Sequence, residues 1–353
     1  MESANFRKIR EEGERGTADV CKWWRLMAGD VIALLSFGES FELMDGEKRE
    51  GKGAVGDEYF GALERAGVNI ILNSMFPKVV LRVVGRFWGA LGQILDANRV
   101  IIEKGTVAVQ NLRDEGRGRQ NLFSNMLALA DKAREGDEDA KWLTDDAIRS
   151  EAAGFLLAGS DTTGMALTYM VWAVLRRPDL RRRMEAEVAT LDPEFTDKDV
   201  EKLPLLNNVL DEVLRLYNPG SGNIIRQVPE QGVTWLGYFI PGGTDISTQQ
   251  WTMVRDDSLF PDAEHFDETR FEHPTEKQRR VAQPFGLGSR SCIGIHLAKM
   301  EMRLATALFF RECRGAMISK DMSEDMMTQL MKFFTYAKGN KCNITLVDGL
   351  VQA

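Results

Sequence analysis

The feature that most constrains this chain is a single apolar run of helical character that is too long for an ordinary domain helix. It begins at Thr144, whose side chain suits an N-cap, with Asp145 and Asp146 in the first turn, where the helix dipole favours negative charge. It continues to Arg176 and Arg177, cations suited to a carboxyl end, and Pro178 stops it. At about 1.5 Å per residue these roughly 30 positions span roughly 50 Å, the width of a whole domain. Between Ala152 and Leu175 the only charge is Asp161, so a membrane span is the rival reading. Ser160, Asp161, Thr162 and Thr163 stand together at the middle of the run, where a lone helix in lipid is penalised most. A buried helix crossing a large soluble fold is therefore the expectation.

The rest of the chain fits a core of that size. Of its 353 residues 44% are apolar and 28% charged, ordinary for a globular protein. Thr17 to Phe41 and Asn69 to Ile101, the latter broken at Pro77, read as packed helices. Asp114 to Gly118 and Arg134 to Asp139 read as solvated loops. Helices are expected from Asp179 to Leu191 and from about Leu205 to Tyr217. Gly232 to Ser247, punctuated by Pro241-Gly242-Gly243, reads as short strands with a turn. A last helix is expected from Ile293 to Phe310, and a closing hairpin from Phe333 to Tyr336 and Asn343 to Val347.

The formal charge of −8 argues against a nucleic-acid partner. Cys21, Cys292, Cys313 and Cys342 are widely spaced, so neither a disulfide framework nor a CxxC site is indicated. His265, His273 and His296 include no pair four apart, which disfavours a multi-histidine metal centre. Met1 to Arg15 carries no apolar core of signal-peptide length.

The strongest chemical signal is Phe285-Gly286-Leu287-Gly288-Ser289-Arg290-Ser291-Cys292-Ile293-Gly294. Five fixed positions, F-x-x-G-x-R-x-C-x-G, match by chance on the order of 10⁻⁴ times in such a chain. A thiolate is the form of cysteine that binds a metal, and a helix amino terminus favours it through its dipole and free N–H groups. Gly288 and Gly294 let backbone approach a flat group closely, Phe285 can shield the sulfur, and Arg290 can pair with a carboxylate. An inert buried cysteine beside a glycine-rich turn is the alternative. The second signal is Ala158-Gly159-Ser160-Asp161-Thr162-Thr163, where Thr162 can bond back to the Ala158 carbonyl and Gly159 eases a bend. Taken alone it also suits a kinked core helix. The third, Glu212-Val213-Leu214-Arg215, places two opposite charges on one helix face, a common and weak surface pattern.

Taken together these three motifs resemble the cytochrome P-450 family, and the likeness runs from about Ala18 to the end. The resemblance implies a mainly α (α+β) fold in one partial domain. Its parts are a helix-rich stretch 17–217, a strand and meander region 218–284, a haem-thiolate loop with the last helix 285–312, and a C-terminal hairpin 313–353. It implies a haem whose iron is held by the Cys292 thiolate, with thiolate ligation favouring O–O cleavage. Arg290 and Arg226 would meet the propionates. Thr162 would steady dioxygen and relay protons, and Asp161 would gate their supply. Glu212 and Arg215 would be buried and joined by Arg270 of Phe266-Asp267-Glu268-Thr269-Arg270-Phe271 as a structural triad; Thr269 departs from the family pattern, as does the absence of a proline before the Glu-Arg step.

By the same resemblance Pro219 to Asn223, Phe155 to Ala158 and part of Met322 to Leu330 would line a substrate pocket. Lys277, Arg279, Arg280, Lys299 and Arg303 would form a docking face for an acidic redox partner. The implied activity is insertion of one atom of O2 into a small apolar organic substrate in fungal secondary metabolism, with electrons from NADPH–cytochrome P-450 reductase. Full-length relatives would carry an amino-terminal anchor to the cytosolic face of the endoplasmic reticulum, much of the β-sheet and a Trp/Arg propionate helix. This chain lacks them and would be cytoplasmic, touching membrane only through that missing anchor. A haem-thiolate enzyme with a non-hydroxylating reaction and a non-catalytic remnant are the other readings that the gap leaves open.

Overall fold

The computed structural model describes residues 4–44, 55–114, 121–134 and 142–346. Helix dominates among them. The chain opens with α1 (Ala4–Arg15), a two-residue strand β1 (Ala18–Asp19) and α2 (Val20–Phe37). Asp19 caps α2 by accepting from the Cys21 amide at 3.0 Å, and Gly38 ends it in the left-handed region at φ 83°. Next come α3 (Val55–Met75), α4 (Lys78–Phe87) and α5 (Gly89–Asp114). Pro77 separates α3 from α4 as expected, and a second break at Trp88 divides what the sequence presents as one segment. Around these breaks Met75, Phe76, Val79, Val80, Val83, Phe87 and Trp88 are exposed. The expected loops at 114–118 and 134–139 lie mostly outside the described residues.

After α6 (Leu122–Arg134) the long helix α7 runs without interruption over Asp145–Leu175. Thr144 caps it, its hydroxyl accepting from the Ala147 amide at 3.2 Å. Pro178 then opens α8 (Pro178–Val188), followed by α9 (Asp197–Val200) and α10 (Pro204–Leu216). The two antiparallel ladders that come next are small. β2 (Asn223–Gln227) pairs with β5 (Asp245–Gln249), and β3 (Val233–Trp235) with β4 (Tyr238–Ile240) across the Leu236-Gly237 turn. Short helices α11 (Gln250–Met253) and α12 (Glu276–Val281) lead to α13 (Ile295–Glu312), β6 (Met317–Ile318), β7 (Gln329–Met331), β8 (Thr335–Ala337) and β9 (Asn343–Thr345).

The expected closing hairpin does not form. β8 turns back on β7, whereas β9 lies between β1 and β6 in a three-stranded sheet, with Ala18 opposite Ile344 and Met317 opposite Thr345. The strand that β9 needs comes from the other end of the chain, a pairing that local alternation cannot reveal. Val347 lies outside the described residues.

The main core cluster wraps round α7, whose carboxyl half is buried from Thr163 to Leu175, and a small second cluster of Val254, Phe260 and Ala263 lies under the meander. Its tightest seam is the crossing with α2. A methyl group on Gly164 would stand 2.5 Å from Arg25 Cγ, 2.7 Å from its Cα and 2.8 Å from its amide nitrogen. One on Gly159 would stand 2.8 Å from Ile32 Cγ1. The glycine expected to ease a bend at 159 is thus also a seat for α2. The helices come this close because α7 presents no side chain at these two positions. Among the described residues no helix is long and apolar enough to cross a membrane.

Candidate functional site

The cysteine loop is built from backbone bonds that aim one side chain outward. Beyond α12 the chain turns at Gln283, whose carbonyl accepts from the Gly286 amide at 3.0 Å. The Cys292 amide then donates to the Phe285 carbonyl at 2.8 Å, closing the loop across its base. Gly286 and Gly288 hold φ of 72° and 73°, a region that a side chain strains, and nothing lies within 4 Å of where a Cβ on Gly288 would sit. A short 3₁₀ turn over Gly288–Arg290 completes the bend. Gly294 caps α13, so that helix begins two residues later than expected. Cys292 stands just before the cap rather than in the first turn, with Gly294 in ordinary contact with its sulfur (a Cβ there would be 3.9 Å from Sγ). The unpaired amides of α13's first turn still point toward this side.

Burial separates Cys292 from the other thiols. It is exposed, whereas Cys21, Cys313 and Cys342 are buried. Burial pushes the Cys21 and Cys313 thiols up to about 12 and holds Cys342 well above its ordinary value. Of the four cysteines, Cys292 alone is open to an incoming partner. Leu287 (63% exposed) and Ile293 (87%) flank it, large apolar groups that leave a face suited to a flat apolar partner. Phe285 packs against the main core, with the Lys299 ammonium 6.0 Å from its ring centre. Arg290 lies exposed in the 3₁₀ turn; Arg226, in mid-β2 opposite Ile246, is exposed and donates to the Ile225 carbonyl at 2.8 Å. An exposed thiol, two exposed guanidiniums, apolar flanks and glycines without side chains form a donor set that fits a haem.

On α7 the four polar side chains point to different partners. Ser160 is buried, donating to the Leu156 carbonyl at 2.6 Å and sharing a 2.9 Å bond with the Tyr59 hydroxyl of α3. Asp161 is buried too: its Oδ1 accepts from Arg25 Nε at 2.6 Å, and its Oδ2 from the Tyr336 hydroxyl of β8. Thr163 is also buried. Thr162 alone of the four is half-exposed, and its hydroxyl donates to the Ala158 carbonyl at 2.7 Å, the back-bond that the sequence suggests. The structure thus parts Asp161 from Thr162.

Glu212, Arg215 and Arg270 come together. The Glu212 carboxylate accepts from Arg215 Nε (2.7 Å) and Nη2 (2.8 Å), from Arg270 Nε (3.3 Å) and from the Asp267 amide (3.0 Å). Arg215 Nη1 donates to the carbonyls of Val254 (2.7 Å) and Ala263 (2.8 Å), so the pair ties α10 to the meander that precedes the cysteine loop. Of the expected pocket segments, Pro219–Ser221 is fastened to β8, by the Thr335 amide to the Pro219 carbonyl and by Ser221 to the Thr335 hydroxyl, both at 2.8 Å. Met327 is core, with its carbonyl accepting from Tyr169.

One member of the expected docking face is not free. Arg303 is 11% exposed and grips Asp197 with Nε (2.7 Å) and Nη2 (2.5 Å), with Glu201 at 3.0 Å. Its charge is spent on α9. Arg280 is paired with Glu276 (2.5 Å), and Arg279 caps the Pro274 carbonyl. The residues that sequence reasoning missed are Arg25, Tyr336 and Tyr59. Arg25 leaves one trace, a guanidinium inside the otherwise apolar face of α2.

Comparison with known proteins agrees with this geometry. The family model described as Cytochrome P450 matches residues 4–344. The chain is 36% identical to "Cytochrome P450 monooxygenase cypX" of Dothistroma septosporum, over 98% of this chain and 67% of that protein. It is 38% identical to "Cytochrome P450 monooxygenase tazI" of Aspergillus terreus (95% and 67%), and 36% to "Cytochrome P450 monooxygenase stcB" of Emericella nidulans (96% and 64%). It spans about two thirds of the length of these relatives. The crystal structure of the cytochrome P450DA heme domain superposes with a TM-score of 0.72 at 23% identity, covering 97% of this chain and 71% of that one, which shows the same fold. The chain belongs to the cytochrome P450 family.

Proposed function

We propose that this chain provides the haem-thiolate centre of a monooxygenase that places one atom of O2 into a small apolar organic substrate. Its electrons would come from NADPH through a flavoprotein reductase, and its setting would be fungal secondary metabolism. The observation that carries the reading is the contrast among the cysteines: one exposed thiol on a glycine turn before a helix, three others buried beyond use. Relatives named as monooxygenases from Dothistroma and Aspergillus, and a more distant one named tryprostatin B 6-hydroxylase, support it.

Cys292 would hold the iron through its thiolate, with Arg290 and Arg226 pairing the propionates and Gly288 and Gly294 leaving room for the ring. When bound, the haem supplies the activation of dioxygen, which no side chain here can perform. The chain's own part is to hold and shield. Phe285 covers the sulfur's approach from the core side. Thr162 keeps one proton on its hydroxyl, parked on the Ala158 carbonyl, and a turn about χ1 presents that proton to the open side of α7. The Glu212–Arg215–Arg270 clamp fixes the scaffold beneath the loop and takes no part in chemistry.

The reduced protein with carbon monoxide should show the far red-shifted Soret band of thiolate ligation. A band at the histidine position, or no pigment in protein supplied with haem, overturns the reading. For the proton role, Thr162→Ala should raise hydrogen peroxide released per NADPH consumed several-fold, with haem content unchanged. Equal peroxide yields would remove Thr162 from the reaction.

A further inference from the structure

Tyr59 of α3 and Ser160 of α7 meet in a slot cut into α2. A methyl group on Gly29 would stand 3.1 Å from Tyr59 Cε1 and 3.2 Å from Ser160 Oγ, so α2 makes room for both by carrying no side chain there. Both residues are fully buried. Ser160 spends its one proton on the Leu156 carbonyl at 2.6 Å, so in the 2.9 Å bond between the two hydroxyls Tyr59 is the donor. The phenol oxygen also stands 3.4 Å from that carbonyl, which closes the group of three. Burial pushes the Tyr59 hydroxyl up, and it keeps the proton that it shares with Ser160. Farther along α3, Asn69 Nδ2 donates to the carbonyls of Ile94 (2.7 Å) and Leu95 (2.9 Å), so α3 is carried by α5. The tyrosine thus links the stance of α3 and α5 to the polar turn of α7.

That link lies across the helix from Thr162. Ser160 and Thr162 are two residues apart, about 200° round the axis, so one faces the buried side and the other the open side. Each hydroxyl bonds to the carbonyl four residues before it, Ser160 to Leu156 and Thr162 to Ala158. Back-bonds of this kind bend a helix, and two on opposite faces of one stretch oppose each other. The bond held at Ser160 therefore bears on where the Thr162 hydroxyl stands. We propose that Tyr59 is a positioning residue for Thr162. By holding Ser160 on Leu156 it fixes the course of α7 over 156–162, and with it the place of the threonine hydroxyl on the open face. This rests on the reading of Thr162 as the hydroxyl that serves the reaction.

Tyr59→Phe keeps the ring in the slot and removes only the donor. Hydrogen exchange of the amides at 160–163 needs no turnover and should quicken about fivefold, the measure of one lost hydrogen bond, while the amides at 166–172 keep their rates. Peroxide released per NADPH should rise on the order of twofold, less than in Thr162→Ala, because one neutral hydrogen bond loosens the threonine without deleting it. Haem content and the carbon monoxide band should not change. Ser160→Ala, which leaves the tyrosine intact, should leak to the same degree. In that background Tyr59→Phe should add nothing to either readout, since the phenol acts through the serine.

Faster exchange with unchanged peroxide in Tyr59→Phe would make the tyrosine a structural tie and overturn the proposal. Additive leaks in the double variant overturn it as well, because the phenol would then act elsewhere. Thr162→Ala is measured beside them. If it leaks and Tyr59→Phe does not, the role of Tyr59 alone falls. If Thr162→Ala does not leak, the reading of Thr162 falls and takes the role of Tyr59 with it.

Discussion

Cys292→Ser is expected to leave a protein without a thiolate-type carbonyl band and with turnover at background, while its haem-free unfolding midpoint stays close to the parent's. The side chain is exposed and packs on little, so its loss costs the fold almost nothing. Its chemistry cannot be replaced from within. A serine hydroxyl does not ionise near neutrality, and Cys21, Cys313 and Cys342 are closed off by burial that opposes ionisation. His296, four residues on and exposed on α13, is the nearest imidazole in sequence, so any haem that remains should carry a nitrogen-type or ligand-free spectrum. Carbon monoxide difference spectra and haem content per chain read the result. An unaltered spectrum in Cys292→Ser would remove the sulfur from the iron and the proposed function with it.

The largest expected effect on folding belongs to Glu212→Gln. That carboxylate is fully buried and accepts four hydrogen bonds, three of them from two guanidiniums. Neutralising it leaves Arg215 buried with no counter-charge, a loss of about 3–5 kcal/mol. Against the usual margin of ~5–15 kcal/mol this is about a fifth of the stability or more. A fall in the unfolding midpoint of roughly 5 °C follows for a chain of this length, with slower recovery of haem, since the meander that supports the cysteine loop loses its anchor. Calorimetry on parent and variant checks it. A midpoint within 2 °C, on the order of a surface change, would mean that the carbonyls of Val254 and Ala263 hold Arg215 unaided.

Where the sequence was readable, the cause was local. The long helix declares itself through the Thr144 cap, two aspartates and Pro178, all within one turn of its ends. The cysteine loop is legible because its glycines serve backbone angles that few other residues reach, at Gly286 and Gly288. The Glu212–Arg215 pair needed the resemblance, because three-residue spacing cannot distinguish a surface pair from a buried one, and Arg270 arrives from 58 residues away.

What the sequence concealed is non-local. β9 joins β1 from the opposite end of the chain, so its alternation suggested a hairpin partner that it does not have. Tyr336 meets Asp161 across 175 positions, and nothing near either residue announces the other. The charge of Arg303 was read as surface, yet a partner on α9 lay 106 positions upstream. A polar cluster in an apolar helix calls for partners from elsewhere in the fold. Which of its members faces outward is set largely by α2, whose approach to α7 depends on Gly159 and Gly164 rather than on polar spacing.

The bare carbon at position 164 also restricts how the molecule can change over time. With a single hydrogen facing α2 there, any added carbon would have to push the two helices apart. In descent, an enlarged residue at 164 would be tolerated only alongside compensating changes at or near 25, so the two sites are expected to drift in concert.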